Sequence, residues 1–346
     1  MRTRERRIRV HFFGRQEARA VSPLCGTLGV GPMPELTGTA ARRYARLAAV
    51  APQLFEVVTA DSADVWVYAH ELVARSEIDS QLRALPPQGP ACAFFYGADD
   101  AAPIPVSRPN VALFRTSLFA STRLAHEYAM PALCDDVLEE TGGEPVTRSW
   151  SKEPSVGFCG FVGSSWKRLG FQMLRQQQKN EGLQLRERVL SAFEGKNQVE
   201  TRFVRRSSFW GGAMSRFHFS GDLQREVRTE FIQNLFATDY GLCVRGKGNF
   251  SYRFYEVLSA GRIPVFVDSD SVLPFERQID WRRHTVWIDH SEIDSVAARI
   301  ADFHRSLSPE AFVQLQRDNR ALWADWLSPE SYFVRALESI AERGTC

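Results

Sequence analysis

The sequence predicts an α/β protein built on open parallel sheets, and two observations carry that prediction. Short β-branched or aromatic runs alternate with helical patterns along most of the chain. In the carboxy-terminal half, at 155–193 and at 240–267, such a run leads into a glycine-bearing, cationic loop and then a helix. The second of these closes with a further β-branched run, 263–267. A strand–loop–helix–strand unit of that length is a parallel crossover, and open parallel sheets hold ligands at the carboxyl ends of their strands.

The chain has 346 residues, 44% of them hydrophobic and 24% charged, enough to bury the cores of two ordinary domains. A net charge of +2 gives no bulk reason to expect nucleic acid, so any cationic site is local. Cys25, Cys92, Cys134, Cys159, Cys243 and Cys346 are widely spaced with no C-x-x-C pair, which predicts reduced, mostly buried thiols rather than disulfides or zinc. The apolar run Ile8–Phe13 is far too short for a signal-peptide core, and no run approaches the roughly 20 apolar residues of a membrane span. The expectation is a cytoplasmic enzyme. Arginines at 2, 4, 6, 7 and 9 form a solvated tail or touch anionic lipid at the inner membrane face.

Taken in order, Ile8–Phe13 alternates as a first strand. Residues 23–33 hold three glycines and two prolines, a loop lining a cleft, but Gly26, Gly29 and Gly31 open no helix and make no dinucleotide fingerprint. Residues 40–51 read as a helix, and 54–59, 64–68, 92–96 and 110–114 as strands. Polar groups cluster after several of these runs: His70 and Glu71, Asp99 and Asp100, then Arg115, Thr116 and Ser117. The polar stretch 139–153 reads as the domain boundary. Beyond it, Ser155–Phe161 runs into Gly160, Gly163, Lys167 and Arg168, then a long helical window over 171–193. Residues 201–205 read as a strand and 223–236 as a helix. A last strand covers 285–288, and helices at 293–307, 309–327 and 329–342 follow, two of them opened by Ser-Pro. Trp323, Trp326, Tyr332 and Phe333 fall at helical spacing, the mark of packing.

The richest stretch is 231–275. An apolar strand at 240–244 precedes Arg245, Gly246, Lys247, Gly248, Asn249, Phe250 and Ser251. A helix over 252–260 then ends at Gly261, where a left-handed cap is expected. Arg245, Lys247 and Arg253 supply charge, the glycines admit close backbone approach, and the helix start adds N–H groups. Glu256 lies three residues after Arg253, so both can point into one cleft. Cations with one carboxylate suit a nucleoside diphosphate, arginines on pyrophosphate and acid on ribose. The alternative is a surface loop with an Arg253–Glu256 helix pair, worth a few tenths of a kcal/mol.

The order R-G-x-x-x-x-S-Y-R-F-Y-E-x-L-x-x-G-x-I-P-V, from Arg245 to Val265, followed by L-P-F at 273–275 and I-D-W at 279–281, resembles the nucleotide-sugar half of exostosin-type glycosyltransferases. The likeness is good over about 156–288 and fainter before it, where F-R-T-S-L and His126 to Pro131 take part. It implies a GT-B fold, two Rossmann-like domains facing a cleft, and inverting sugar transfer usually without metal. Domains are expected at 1–145 on the acceptor side and 150–325 on the donor side, with a helix at 326–346 packing back toward the first. The expected donor contacts are Gly160, Gly163, Arg168, Arg245, Gly246, Asn249, Phe250, Ser251, Tyr252, Arg253 and Glu256, around a UDP-sugar. Arg115 and Ser117 are expected on the acceptor side, toward a glycan. An inverting displacement needs a base within about 3 Å of the acceptor hydroxyl, for which Asp100, His126 and Glu127 are the candidates.

Asp268-Ser269-Asp270 has the look of a manganese D-x-D, but two carboxylates make a thin oxygen site, and no cofactor or metal is expected. Gly246-Lys247-Gly248 lacks the ending of a Walker loop. Arg205, Arg206 and the aromatics of 209–219 are expected to serve a glycan rim or packing rather than nucleic acid. A GDP-fucose-type donor, or a non-catalytic glycan- or partner-binding subunit of the same fold, are the other readings.

Overall fold

The computed structural model describes residues 7–13, 49–68, 75–85, 89–106, 108–143, 146–163, 177–208, 214–215, 218–219 and 221–342. The chain divides into two compact units. The first comprises 1–135, 272–275 and 324–346, the second 136–271 and 276–323.

The first unit is a six-stranded parallel sheet of β1 (Ile8–Phe13), β2 (Phe55–Val57), β3 (Val65–Tyr68), β4 (Ala91–Tyr96), β5 (Val111–Arg115) and β6 (Glu127–Ala129), in the order β2-β1-β3-β4-β5-β6. β3, β4 and β5 are buried along their whole length, which is why their sequences run nearly without polar breaks. One face packs Val10, Val67, Phe95 and Phe114 under the carboxy-terminal helix Pro329–Ala341, which contributes Tyr332, Phe333, Leu337 and Ile340. The other face packs Tyr68, Phe94 and Tyr96 with Ile78 of α1 (Arg75–Ala84). Helices on both faces of a parallel sheet make this a doubly wound layer.

At the carboxyl end of β5, Arg115 and Glu127 form an ion pair with both side chains fully enclosed. The guanidinium also donates to the carbonyls of Ala102 (2.9 Å) and Asp100 (2.7 Å). The carboxylate accepts from the N–H groups of Ile104 (3.1 Å) and Leu124 (2.9 Å). The carboxylate and both terminal guanidinium nitrogens hold loops, the Arg115 Nε is buried without a hydrogen bond, and full enclosure of both side chains corrects the expectation that Glu127 is a base and Arg115 an acceptor contact. A buried pair of this kind is costly to break from one side.

The second unit holds a five-stranded parallel sheet of β7 (Ser155–Phe161), β8 (Glu200–Arg206), β11 (Tyr240–Cys243), β12 (Ile263–Val267) and β13 (Val286–Ile288), in the order β13-β12-β11-β7-β8. A short antiparallel pair, β9 (Met214–Ser215) and β10 (His218–Phe219), stands apart from it. Around the sheet run α2 (Val137–Thr141), α3 (Gln177–Ser191), α4 (Gly221–Phe236), α5 (Tyr252–Ser259), α6 (Val296–Ser306) and α7 (Pro309–Leu322); the carboxy-terminal helix is α8. The strand order reverses between β7 and β11, the topological switch point where such sheets bind ligands.

The division falls at Asp135/Asp136, ahead of the polar stretch where the sequence places it. The reason is Asp136, which caps α2 through the Leu138 N–H (3.0 Å) and pairs bidentately with Arg320 of α7. Val137 N–H donates to the Ser259 hydroxyl at the end of α5 (3.0 Å), so α2 belongs to the second unit. The chain returns to the first unit at 272–275, where Val272 joins Leu118 and Ala129 and Phe275 meets Tyr332. It returns again through the π-turn Trp323–Leu327, where the sequence predicts unbroken helix to 327.

Glu127→Gln leaves the Arg115 guanidinium buried without its counter-charge and is expected to lower the unfolding free energy by about 3 kcal/mol in denaturant titration. Loss of turnover with unchanged stability would instead restore Glu127 as a base.

Candidate functional site

The switch point of the second unit gathers three guanidiniums, two anticipated and one not. β11 ends in Cys243, and the loop carrying Arg245 follows it directly. α5 begins at Tyr252, with Ser251 at its N-cap in an extended conformation, so Arg253 sits in the first turn and points back along the sheet. Its guanidinium lies over the Phe158 ring (4.3 Å to the centroid) and donates to the Cys159 carbonyl of β7. Gly160 leaves the space this needs, since a Cβ there would lie 2.7 Å from the Arg253 Nη2. Burial pushes the Arg253 pKa below the ordinary arginine value.

The third cation is Arg186 of α3. It donates to the Phe161 carbonyl (2.8 Å) at the end of β7 and to those of Arg245 (3.0 Å) and Val244 (3.4 Å) just past β11. Burial, then the nearby charges of Arg253 and Arg245, push its pKa down to about 9. Two further α3 residues complete the junction. Glu181 pairs with Arg245 (3.2 Å), whose side chain is 9% exposed against 43% for Glu181. Gly182 lies against the Gly246 carbonyl so closely that a Cβ would stand 1.9 Å from that oxygen. Nothing in the helical pattern of 171–193 marks Glu181, Gly182 or Arg186 as site residues. A glycine inside a helix was the available signal.

The loop itself is tied down. Gly246 N–H donates to the Phe250 carbonyl (3.2 Å). Asn249 is buried; its amide donates to the Asp270 carbonyl (3.1 Å), and its carbonyl accepts from Ser269 (2.7 Å) and Ser271 (3.2 Å). Asn249 is therefore an anchor between the loop and the 268–271 turn. Phe250 meets Tyr252 edge to face at 5.4 Å, and Tyr252 is 55% exposed. α5 ends as the sequence predicts. Gly261 has φ +65°, and N–H groups of Gly261 and Arg262 reach the carbonyls of Leu258 and Val257 at 2.9 Å each.

Glu256 faces Arg228 of α4, which also grips Glu140 through two contacts of 2.8 and 2.6 Å. Burial opposes that charge, but Glu256 and Glu140 outweigh it and raise Arg228 above its ordinary pKa. The second Glu256 oxygen accepts no hydrogen bond among the described residues. Phe231 lies against both Arg228 (5.0 Å) and Arg253 (5.4 Å), so Arg253 and Glu256 share one packed layer without pairing directly.

In the first unit, Asp100 stands past the carboxyl end of β4, half-buried, with one oxygen accepting from Ala102 N–H (2.9 Å). His126 precedes β6, at its amino end, with Nε2 2.8 Å from the Ile104 carbonyl. Ser117 is fully buried just beyond β5. Gly163, with φ +77°, ends the described part of the loop after β7. Arg168 and Lys167, the glycines at 26, 29 and 31, and His70 and Glu71 lie outside the described residues.

Asp268 accepts from Ser271 N–H (3.1 Å), and burial raises its pKa. Among the described residues no cluster of three metal-binding side chains occurs, and no helix is long and apolar enough to cross a membrane. Cys92, Cys134, Cys159 and Cys243 are buried free thiols.

Residues 169–302 match the family described as the Exostosin GT47 domain. The match lies in the second unit and takes in its switch point. It contains Glu181, Gly182, Arg186, Arg228, Arg245, Arg253 and Glu256. Exostosin-1 of Drosophila melanogaster is 28% identical over 163 residues, 47% of this chain and 21% of that protein. Exostosin-1a of Danio rerio is 28% identical over 117 residues, 34% and 16% respectively. The chain thus spans about a fifth or less of the length of these relatives. Among solved structures, a glycosyltransferase from Rickettsia africae ESF-5 aligns over 99% of both chains at 10% identity and TM-score 0.40. WaaG, a glycosyltransferase involved in lipopolysaccharide biosynthesis, aligns over 98% of this chain and 100% of its own at 11% and 0.34.

Within the matched segment, Gly182→Ala gains about 1 kcal/mol of helix propensity but drives a methyl into backbone. The clash dominates, and chemical denaturation should show a net loss of about 1–3 kcal/mol. An unchanged or raised midpoint would contradict the close approach of α3 to Gly246.

Proposed function

We propose that this chain is an inverting glycosyltransferase that takes its sugar from a nucleotide donor, a UDP-sugar, and passes it to a glycan acceptor. The observation that carries the reading is the cluster of Arg186, Arg245 and Arg253 at the β7–β11 switch point inside the matched segment. Departure of a nucleoside diphosphate needs negative charge stabilised as it develops, and fixed cations in a poorly hydrated site do this without reorganising.

The residues divide the work. Arg186 and Arg253 direct donors at backbone carbonyls and act by field. Arg245 contacts the diphosphate, which displaces the more exposed Glu181, and a diphosphate out-competes one carboxylate by charge. Glu256 keeps one oxygen on Arg228 and offers the other to ribose. With cations in these places the leaving group needs no metal, and activity should survive chelation.

Calorimetry with UDP should show saturable binding, and Arg245→Ala should weaken it by about 1.5–3 kcal/mol, roughly ten- to hundredfold. No heat with UDP, GDP or CMP would overturn the reading. Binding without transfer from any UDP-sugar would favour a non-catalytic glycan- or partner-binding subunit.

The pH profile follows from the depressed base. With its pKa pushed down to about 9, Arg186 is charged near neutrality and loses charge progressively as pH rises through that value, and the phosphate is drawn to that charge. UDP affinity should therefore be flat from neutrality to near pH 8.5 and fall beyond about pH 9, also in Lys247→Gln. A profile flat past pH 10 would contradict the part given to Arg186.

A further inference from the structure

The amino-terminal end of the second unit's sheet carries a cavity that the donor site does not use. It has a volume of about 620 Å³ and is lined by Arg148, Arg262, Thr147, Ser149 and an apolar wall that includes Val146 and Phe236. Arg262 immediately precedes β12, and Arg148 pairs with Asp239, which immediately precedes β11, so the cavity is at the opposite edge from Arg245.

The charges here do not balance. Asp239 is buried and fully engaged, accepting from Arg148 Nε (2.6 Å) and from the N–H (2.9 Å) and hydroxyl (2.8 Å) of Ser155. Arg262 is 2% exposed and has no carboxylate partner among the described residues. One of its terminal nitrogens donates to the Val146 carbonyl (2.9 Å) and the Gln316 side chain (3.4 Å), and its Nε is buried without a hydrogen bond. The guanidinium stands 5.2 Å from the Phe236 ring centroid. The hydroxyls of Thr147 and Ser149 make no hydrogen bond among the described residues. Asp239 acts on Arg262 at a distance but no carboxylate touches it; a buried cation without a contacting counter-ion is a costly arrangement, and an anion in the adjoining cavity relieves it.

We propose that this cavity binds a small organic anion, a phosphate monoester or carboxylate, with its charged end on Arg262 and Arg148 and its apolar body against Val146 and Phe236. Thr147 and Ser149 donate to the remaining anion oxygens. The size suits a metabolite-scale ligand and exceeds what inorganic phosphate fills. Burial, and after it the charge of Arg148, push the Arg262 pKa down to about 10, so a bound anion also strengthens its protonated form. This site stands whether or not the donor reading holds.

Phenyl phosphate is the probe, titrated calorimetrically into the full chain, with phenol as the uncharged control. Saturable binding of phenyl phosphate and none of phenol is expected. Thr147→Asp sets a carboxylate in the cavity without touching the contacts of Arg262, and Arg262→Gln removes the cation. Each should weaken binding roughly tenfold or more, while Arg245→Ala should leave it within about twofold. If Arg262→Gln fails to fold, Thr147→Asp decides alone. Absent binding, equal binding of phenol, undiminished affinity in Thr147→Asp, or loss in Arg245→Ala would each overturn the proposal.

Discussion

The carbonyl groups at the carboxyl ends of β7 and β11 need hydrogen-bond donors that their own strands no longer supply once the sheet stops. Arg186 meets that need with one side chain, reaching Phe161, Val244 and Arg245 together. Arg253 adds a contact to Cys159, two residues earlier in β7. The two loops after these strands are consequently joined through guanidiniums, and Gly182 lets α3 close on them. The satisfaction of backbone polar groups thus also concentrates positive charge at the switch point.

Charge is handled in opposite ways at two neighbouring places. Arg228 lies between Glu140 and Glu256 and is held protonated by both. Arg186 faces two other cations and is destabilised by them. The first arrangement is complete in itself and fixes α2, α4 and α5. The second is less balanced: among the described residues, the half-exposed Glu181 pairs with Arg245 and Glu256 acts on Arg253 without pairing with it. The same contrast separates Arg115, enclosed with the carboxylate of Glu127, from Arg262, which has no carboxylate partner among the described residues.

Much of this was legible in the sequence, for identifiable reasons. The parallel sheets followed from alternation and crossover length, and both Rossmann-like sheets of the GT-B expectation are present, whereas the order of strands within them came from the fold. The cap at Gly261 was legible because a left-handed residue after a short helix leaves few choices. Arg245 and Arg253 stood out because they flank a strand end and open a helix. Arg186 did not, because helical periodicity over 171–193 cannot say which face a loop from 60 residues later will meet. Arg115 and Glu127 misled for a related reason: cation and acid near strand ends look like ligand groups until the fold shows that they satisfy each other. The division at Asp136 was hidden in the same way, since its bond to Arg320 spans more than half the chain.

The central claim is that the β7–β11 edge is where a nucleoside diphosphate is gripped. A crystal structure of the chain with UDP bound tests it most directly. The account predicts the diphosphate beside Arg245, with Glu181 displaced and the Arg186 contacts to Phe161 and Arg245 intact. A diphosphate bound elsewhere, or at this edge with Arg245 still paired to Glu181, would contradict it.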